Sequence, residues 1–343
     1  MMNHQITQSG NLLTHDGELR EPGWAKQLIL NYNREDIRAN RLRLKEWDYY
    51  IMIHPEDRFA LALCVADNQY MGLINASFYD FKRQQKTDHL IPFVFPLGKF
   101  NMPRSSESGD FEYHHFGCDF EYLISPGERR LHCKYPKGIF SKHVFEADIR
   151  LTQPESDTMV IATPWKEDKH AFYYNQKINC MPADGYCLMG GRKFLFRPDR
   201  HFGTLDWGRG VWTYDNTWYW GSASGYVQGD AVGFNIGYGF GDTSAASENM
   251  VFVNGKCHKL SQVIFNIPED DVMRPWTFTS DDGRFEMDFE PVFDNKTDLD
   301  AVIISQHANQ VFGYFSGKII LDDGKLLSVD HLLGFAECVH NKY

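Results

Sequence analysis

The chain has 343 residues, enough for one large or two medium domains that each bury a proper core. Its 46 Asp and Glu outnumber 35 Lys and Arg, and a formal net charge of −11 with no long basic run argues against a nucleic-acid partner. Aromatic residues reach 15% and glycines number 28, a composition that favours strands over helices and an all-β chain.

No apolar run approaches the ~18 residues of a membrane-spanning helix, and the N-terminal stretch lacks the apolar segment of a conventional export signal. Seven scattered cysteines, an odd number, suit free thiols in a reducing compartment, so a cytoplasmic location is expected. Cys180 with Cys187, His114 with His115 and His132 with Cys133 lack the spaced partners of a metal site, and none is expected.

Residues 1–40 read as an N-terminal arm, and Pro22 to Trp47 is the one extended helix-compatible stretch. Arg58 to Phe81 reads as two strands joined by a turn at Asp67 to Gln69. Lys82 to Phe111, with three prolines and a Ser-rich segment, is expected to be a long loop. His143, Phe145, Ala147, Ile149 and Leu151 alternate with Lys142, Glu146, Asp148 and Arg150, as in a half-buried antiparallel strand; Phe285, Met287 and Phe289 point inward in the same way. Asn254-Gly255 and Asp323-Gly324 predict hairpins through type I′ turns.

Short strands without helical crossovers suggest up-and-down barrels. The spacing from Trp47 to Gly72-Leu73-Ile74-Asn75 is matched by that from Trp207 to Gly233-Phe234-Asn235, which hints at duplication with a boundary near Phe196 to Thr204. The chain therefore divides into a first β domain, 41–200, and a second, 201–343.

DWGRGVWTYDNTWYWGSASG, Asp206 to Gly225, sets four tryptophans among small residues, with Trp218, Trp220, Ser222 and Ser224 on one strand face. In the strand that follows, Phe234, Ile236, Tyr238 and Phe240 share one face, while Gly233, Asn235, Gly237 and Gly239 leave the other nearly bare. A bare face calls for a sharp bend, a packed indole or a ligand, so a cavity is expected in the C-terminal half. Asp206 and Arg209, charged among aromatics, form either a structural ion pair or part of a site.

PGWAKQLILNYNREDI, RLKEWDYY, DWGRGVWTYDNTWYWGSASG, GFNIGYGFGDTSAASENM, PWTFTSDDGRFEMDFEPVFDN and GFAE together resemble an uncharacterised, mainly bacterial family, domain of unknown function 2804. More distantly, DWGRG and the two-part β pattern resemble the calycin-like tocopherol cyclases and carotenoid hydratases. That resemblance implies two lipocalin-like barrels, apolar substrates and acid-base chemistry without a redox cofactor. The Asp-His that precedes Trp-Gly in those relatives stands here as Leu205-Asp206, with His201 a few residues upstream.

Protonating an alkene needs a carboxylic acid kept neutral by burial beside indoles, and Asp206, Asp215 and Glu248 are the candidates. Trp212, Trp218, Trp220 and Tyr238 would face a developing carbocation, with Trp207, Tyr214 and Asn235 completing the ligand surface. Asp242 is read as a turn cap. Two further classes stay open: a carbohydrate-binding or carbohydrate-processing protein with Asp206 and Glu248 as its carboxylate pair, and a non-catalytic binding protein in which Arg209 anchors an acidic head. Neither a phosphate-binding loop nor a strand-placed G-x-G-x-x-G with its helix occurs, so no cofactor is expected. The expected partner is a small apolar molecule.

Overall fold

Side chains alternate across a strand, and most long strands here carry useful burial on both faces. The computed structural model describes residues 3–138, 143–153, 155–301 and 304–342. It contains two large, curled antiparallel sheets in a two-barrel, calycin-like arrangement. The first sheet runs, in spatial order, through strands Gln85–Val94, Met71–Asp80, Phe59–Asp67, Leu44–His54, Phe202–Val211, Phe172–Met189, Phe145–Thr152, Glu128–Tyr135, Cys118–Ser125 and Phe111–His115. The second runs through Lys256–Lys259, Met250–Val253, Asp230–Tyr238, Asp215–Val227, Leu326–Lys342, Ile304–Ile320, Phe285–Ala301, Trp276–Ser280 and Val263–Asn266.

Each sheet wraps its own core, and a third apolar layer lies between them. Strand Leu44–His54 shows how one sequence serves two layers. Leu44, Tyr50 and Met52 enter the first core, while Trp47, Tyr49, Ile51 and Ile53 enter the layer between the sheets. Phe145, Ala147, Ile149 and Leu151 are buried in the first core, and Phe285, Met287 and Phe289 in the second, as their alternation predicts; His143 instead precedes the strand and is exposed, and Lys142 lies outside the described residues.

Several local expectations are corrected. The helix-compatible stretch holds only two single 3₁₀ turns, Arg34–Asp36 and Arg41–Arg43, capped by the side chains of Asn33 and Asn40. Its apolar residues lack a sustained helical period, and Gly23–Ala25 instead adds a short strand beside Met159–Pro164. Within the expected loop, Gln85–Val94 is a strand; it forms a sheet edge, where Pro92 can lack a ladder donor. The Asn254-Gly255 turn has both residues at positive φ, 48° and 79°. At Asp323-Gly324 only Gly324 does so, at 83°, and the hairpin closes through Leu321 N to Lys325 O at 2.9 Å, a wider turn than type I′.

The expected boundary at 200/201 is also displaced. Phe202–Val211, which carries Asp206 and Trp207, pairs with Leu44–His54 and Phe172–Met189 inside the first sheet. The chain crosses to the second sheet over residues 212–214. All seven cysteines are free thiols, and among the described residues no helix is long and apolar enough to cross a membrane.

Candidate functional site

Register brings together residues far apart in sequence. In the first sheet Cys64, Tyr49, Asp206 and Lys177 are successive cross-strand partners, and all four lie in one row. In the second, Gly237, Trp220, Glu337, Gln310 and Asn295 form another row. The rows meet across the middle layer: Lys177 Nζ lies 3.9 Å from the Trp220 ring centroid, and Gln310 Nε2 donates to Tyr49 Oη at 3.5 Å.

Beside these rows is a cavity of about 300 Å³, walled by Trp47, Trp212, Trp218, Trp220 and Phe240, with Asp206 and Glu337 among its polar groups. It lies between the sheets. The cavity expected in the C-terminal half does adjoin Trp218 and Trp220 but extends beyond that half, because Lys45, Trp47 and Tyr49 of the first sheet help supply one wall.

Lys177 and Asp206 form a buried ion pair at 2.8 Å, and Asn175 Nδ2 donates to Asp206 Oδ1 at 2.7 Å. Glu337 accepts from Trp218 Nε1 at 3.1 Å and from Gln310 Nε2 at 3.3 Å. Burial nevertheless raises its carboxyl to about 7, against the opposing pull of the Trp218 indole and Lys177. Glu248 is raised to about 7 in the same way, mainly by burial, with Lys177 opposing and Asp206 reinforcing the rise. The protein therefore holds two carboxylic acids that are neutral in mildly acidic water.

This has a measurable consequence for Glu248. Its folded pKa is above the ordinary 4.5, so from pH 4.5 to 7 the unfolded chain releases a proton that the folded chain keeps. Its contribution to stability is complete below pH 4.5, declines across that window and is constant above 7. Each pH unit is worth about 1.4 kcal/mol, so wild type should lose roughly 3 kcal/mol relative to Glu248→Gln between pH 4.5 and 7. Urea unfolding of both proteins at pH 4.5 and 8 reads the difference; a gap that does not move rejects the assignment.

The sequence-selected residues separate into distinct places. Asp206, Trp212, Trp218 and Trp220 line the cavity. Glu248 does not; its carboxylate covers Gly237, while Cys180 Sγ would lie 2.6 Å from a Cβ at Gly233. On the bare glycine face Glu248 thus takes the space over Gly237, and a bulge at Asn179 and Cys180 takes the space over Gly233. Asn235 accepts from Trp220 Nε1 at 2.6 Å and so holds that indole from behind. Tyr238 stacks on Tyr219, with ring centroids 4.6 Å apart, and packs on Phe265. Tyr214 is 54% exposed in the crossing segment.

Arg209 does not pair with Asp206. The two are three residues apart on one strand and point to opposite faces. Arg209 and Trp207 enter the first domain, where the guanidinium meets Asp48 at 2.9 Å and lies 4.3 Å from the Trp207 ring centroid. Asp215 is exposed and pairs with His340 and Lys342. Asp242 Oδ1 accepts from Ser244 N at 3.0 Å, the expected turn cap.

His201 lies at the far end of its strand from the cavity, against His54 and Glu56. These three offer converging ligand atoms, but Nδ1 of His201 accepts from Arg197 N and Nδ1 of His54 from Asp57 N. Each neutral ring then carries its proton on Nε2. This arrangement matches a hydrogen-bonded cluster better than a metal site, whose histidines donate from the nitrogen that is not bound to metal.

Sequence reading passed over Lys177, Glu337, Tyr49 and Trp47. Two signals were available. GFAE ends on Glu337, and Trp47 lies over Gly208, which explains the glycine in DWGRG, since a Cβ there would enter the indole. Nothing local marks Lys177, because its place depends on pairing between distant strands.

Two solved structures resemble the whole arrangement at low identity. A candidate AttH protein from Nitrosomonas europaea is 10% identical, with 91% of this chain and 96% of that chain covered and a TM-score of 0.52. Kievitone hydratase from Nectria haematococca is 11% identical, with 87% and 88% covered and a TM-score of 0.49. At such identities the likeness concerns the fold alone. No curated protein matches the chain. Residues 3–343 match one family model across nearly the full length, and the chain belongs to that family, the domain of unknown function DUF2804.

Proposed function

We propose that this protein binds an apolar, lipid-like small molecule between its sheets and moves protons on it without a redox step, as a hydratase, cyclase or isomerase does. The observation that carries this reading is Glu337, a partly buried carboxylic acid with a pKa of about 7 on the wall of a tryptophan-lined cavity. Glu337 gives its proton to one carbon of an alkene, and the adjacent carbon becomes cationic. The faces of Trp218 and Trp220 stabilise that charge by about 2 kcal/mol when water is excluded.

Capture by water gives hydration, capture by a hydroxyl of the same molecule gives cyclisation, and loss of a neighbouring proton gives isomerisation. In each case the released proton passes to a carboxylate, and Asp206, held by Lys177 and Asn175, is the second one on the wall. The carbohydrate alternative rested on Asp206 with Glu248, and only Asp206 lines the cavity.

An apolar cell extract incubated with the protein in deuterium oxide tests this reading by mass spectrometry. Wild type should introduce deuterium or one water into an unsaturated component, and Glu337→Gln should slow this at least about 100-fold while its fold is retained. Equal rates for the two proteins would remove Glu337 as the acid.

A further inference from the structure

The two ends of the cavity differ in the charged groups they offer. Lys45, Trp47 and Tyr49 alternate on one face of strand Leu44–His54, so Lys45 stands four residues, ~13 Å, from the row that holds Asp206. Among the lining side chains Lys45 is the cation, whereas at the other end Asp206 is a carboxylate already paired with Lys177 and Glu337 is the acid. Trp47 and Trp212 lie between these ends, packed edge to face with centroids 5.8 Å apart. Lys45 is only 2% exposed, and its ammonium donates to Tyr70 Oη at 3.0 Å.

Resting on the reading of the cavity as an apolar-ligand site, we propose that Lys45 selects the head group: the ligand is an apolar carboxylic acid. Its carboxylate meets Lys45, and its hydrocarbon body passes Trp47 and Trp212 toward Glu337. The reverse orientation would set a carboxylate beside Asp206, whose cation Lys177 is already engaged, and away from Lys45, so Lys45 decides direction. Burial and the neighbouring Arg43 lower the Lys45 ammonium to about 7, and a carboxylate beside it favours the charged form. The reacting carbon therefore lies well along the chain from the head, not next to it.

Calorimetric titration with decanoate and with decanol, matched in length and different in head group, tests the proposal. Wild type should bind decanoate about tenfold more tightly, the size of one charge-assisted hydrogen bond. Lys45→Met should abolish that preference and leave decanol binding within about twofold, while Lys45→Arg should retain a preference for decanoate. Lys45→Met removes a buried amine and is expected to fold; Lys45→Gln serves in its place if it does not. Equal binding of the two probes by wild type, or an intact preference in Lys45→Met, overturns the head-group proposal and leaves the apolar cavity standing. Binding of neither probe overturns both.

Discussion

Lys177→Met should destabilise the protein by about 3–5 kcal/mol in urea unfolding at pH 7.5, more than any other single change in the middle layer. Lys177 is 1% exposed at its side chain and neutralises Asp206 at 2.8 Å. It also opposes the rise in the carboxyls of Glu248 and Glu337, so its loss leaves buried Asp206 and Glu248 and partly buried Glu337 without that cation. Glu248 and Glu337 would respond by retaining protons to higher pH. The loss should therefore be smaller at pH 5 than at pH 7.5.

The double variant Lys177→Met with Asp206→Leu separates an unpaired charge from lost packing. It should recover most of the stability, because a buried pair replaced by apolar groups costs far less than half a pair left behind. Trp220, 3.9 Å beneath the ammonium, supplies an independent fluorescence signal. If the single variant were no less stable than the double, the ion pair would carry no such weight.

Arg209→Met should cost a similar ~3–5 kcal/mol, but with ligand binding in the cavity unchanged. Its guanidinium donates to the carbonyls of Trp47 and Gly208 at 2.8 Å and of Pro103 at 2.7 Å, and pairs with buried Asp48. Removing it leaves Asp48, whose carboxyl burial already raises, without its paired cation and with only the more weakly acting Arg129 to oppose that rise. Decanol titration beside urea unfolding distinguishes the two roles. A stable variant that no longer binds decanol would return Arg209 to the site.

The contrast between Asp206 and Arg209 shows where local reading stopped. Both were visible as charges in a tryptophan-rich stretch, yet parity along one strand sends them into different layers. Trp207 follows Arg209 into the first core, whereas Trp212 turns toward the cavity. Which face meets which layer was not legible, because both faces of Phe202–Val211 are buried and alternation alone does not say what covers each.

By itself the sequence determined the all-β class, through its aromatic and glycine content. It also determined the strand faces of Phe145–Thr152 and of Phe285, Met287 and Phe289, and the hairpin at Asn254-Gly255, and it singled out Asp206, Trp212, Trp218 and Trp220, which line the cavity. These depend on period-two alternation and turn chemistry, which act over a few residues. The tertiary structure alone decided that Lys177, Asp206, Glu337 and Tyr49 share one layer, since cross-strand register joins positions over 100 residues apart. It alone turned Glu248 and Glu337 into acids of pKa about 7, because that property comes from burial and neighbouring charge rather than from the residue.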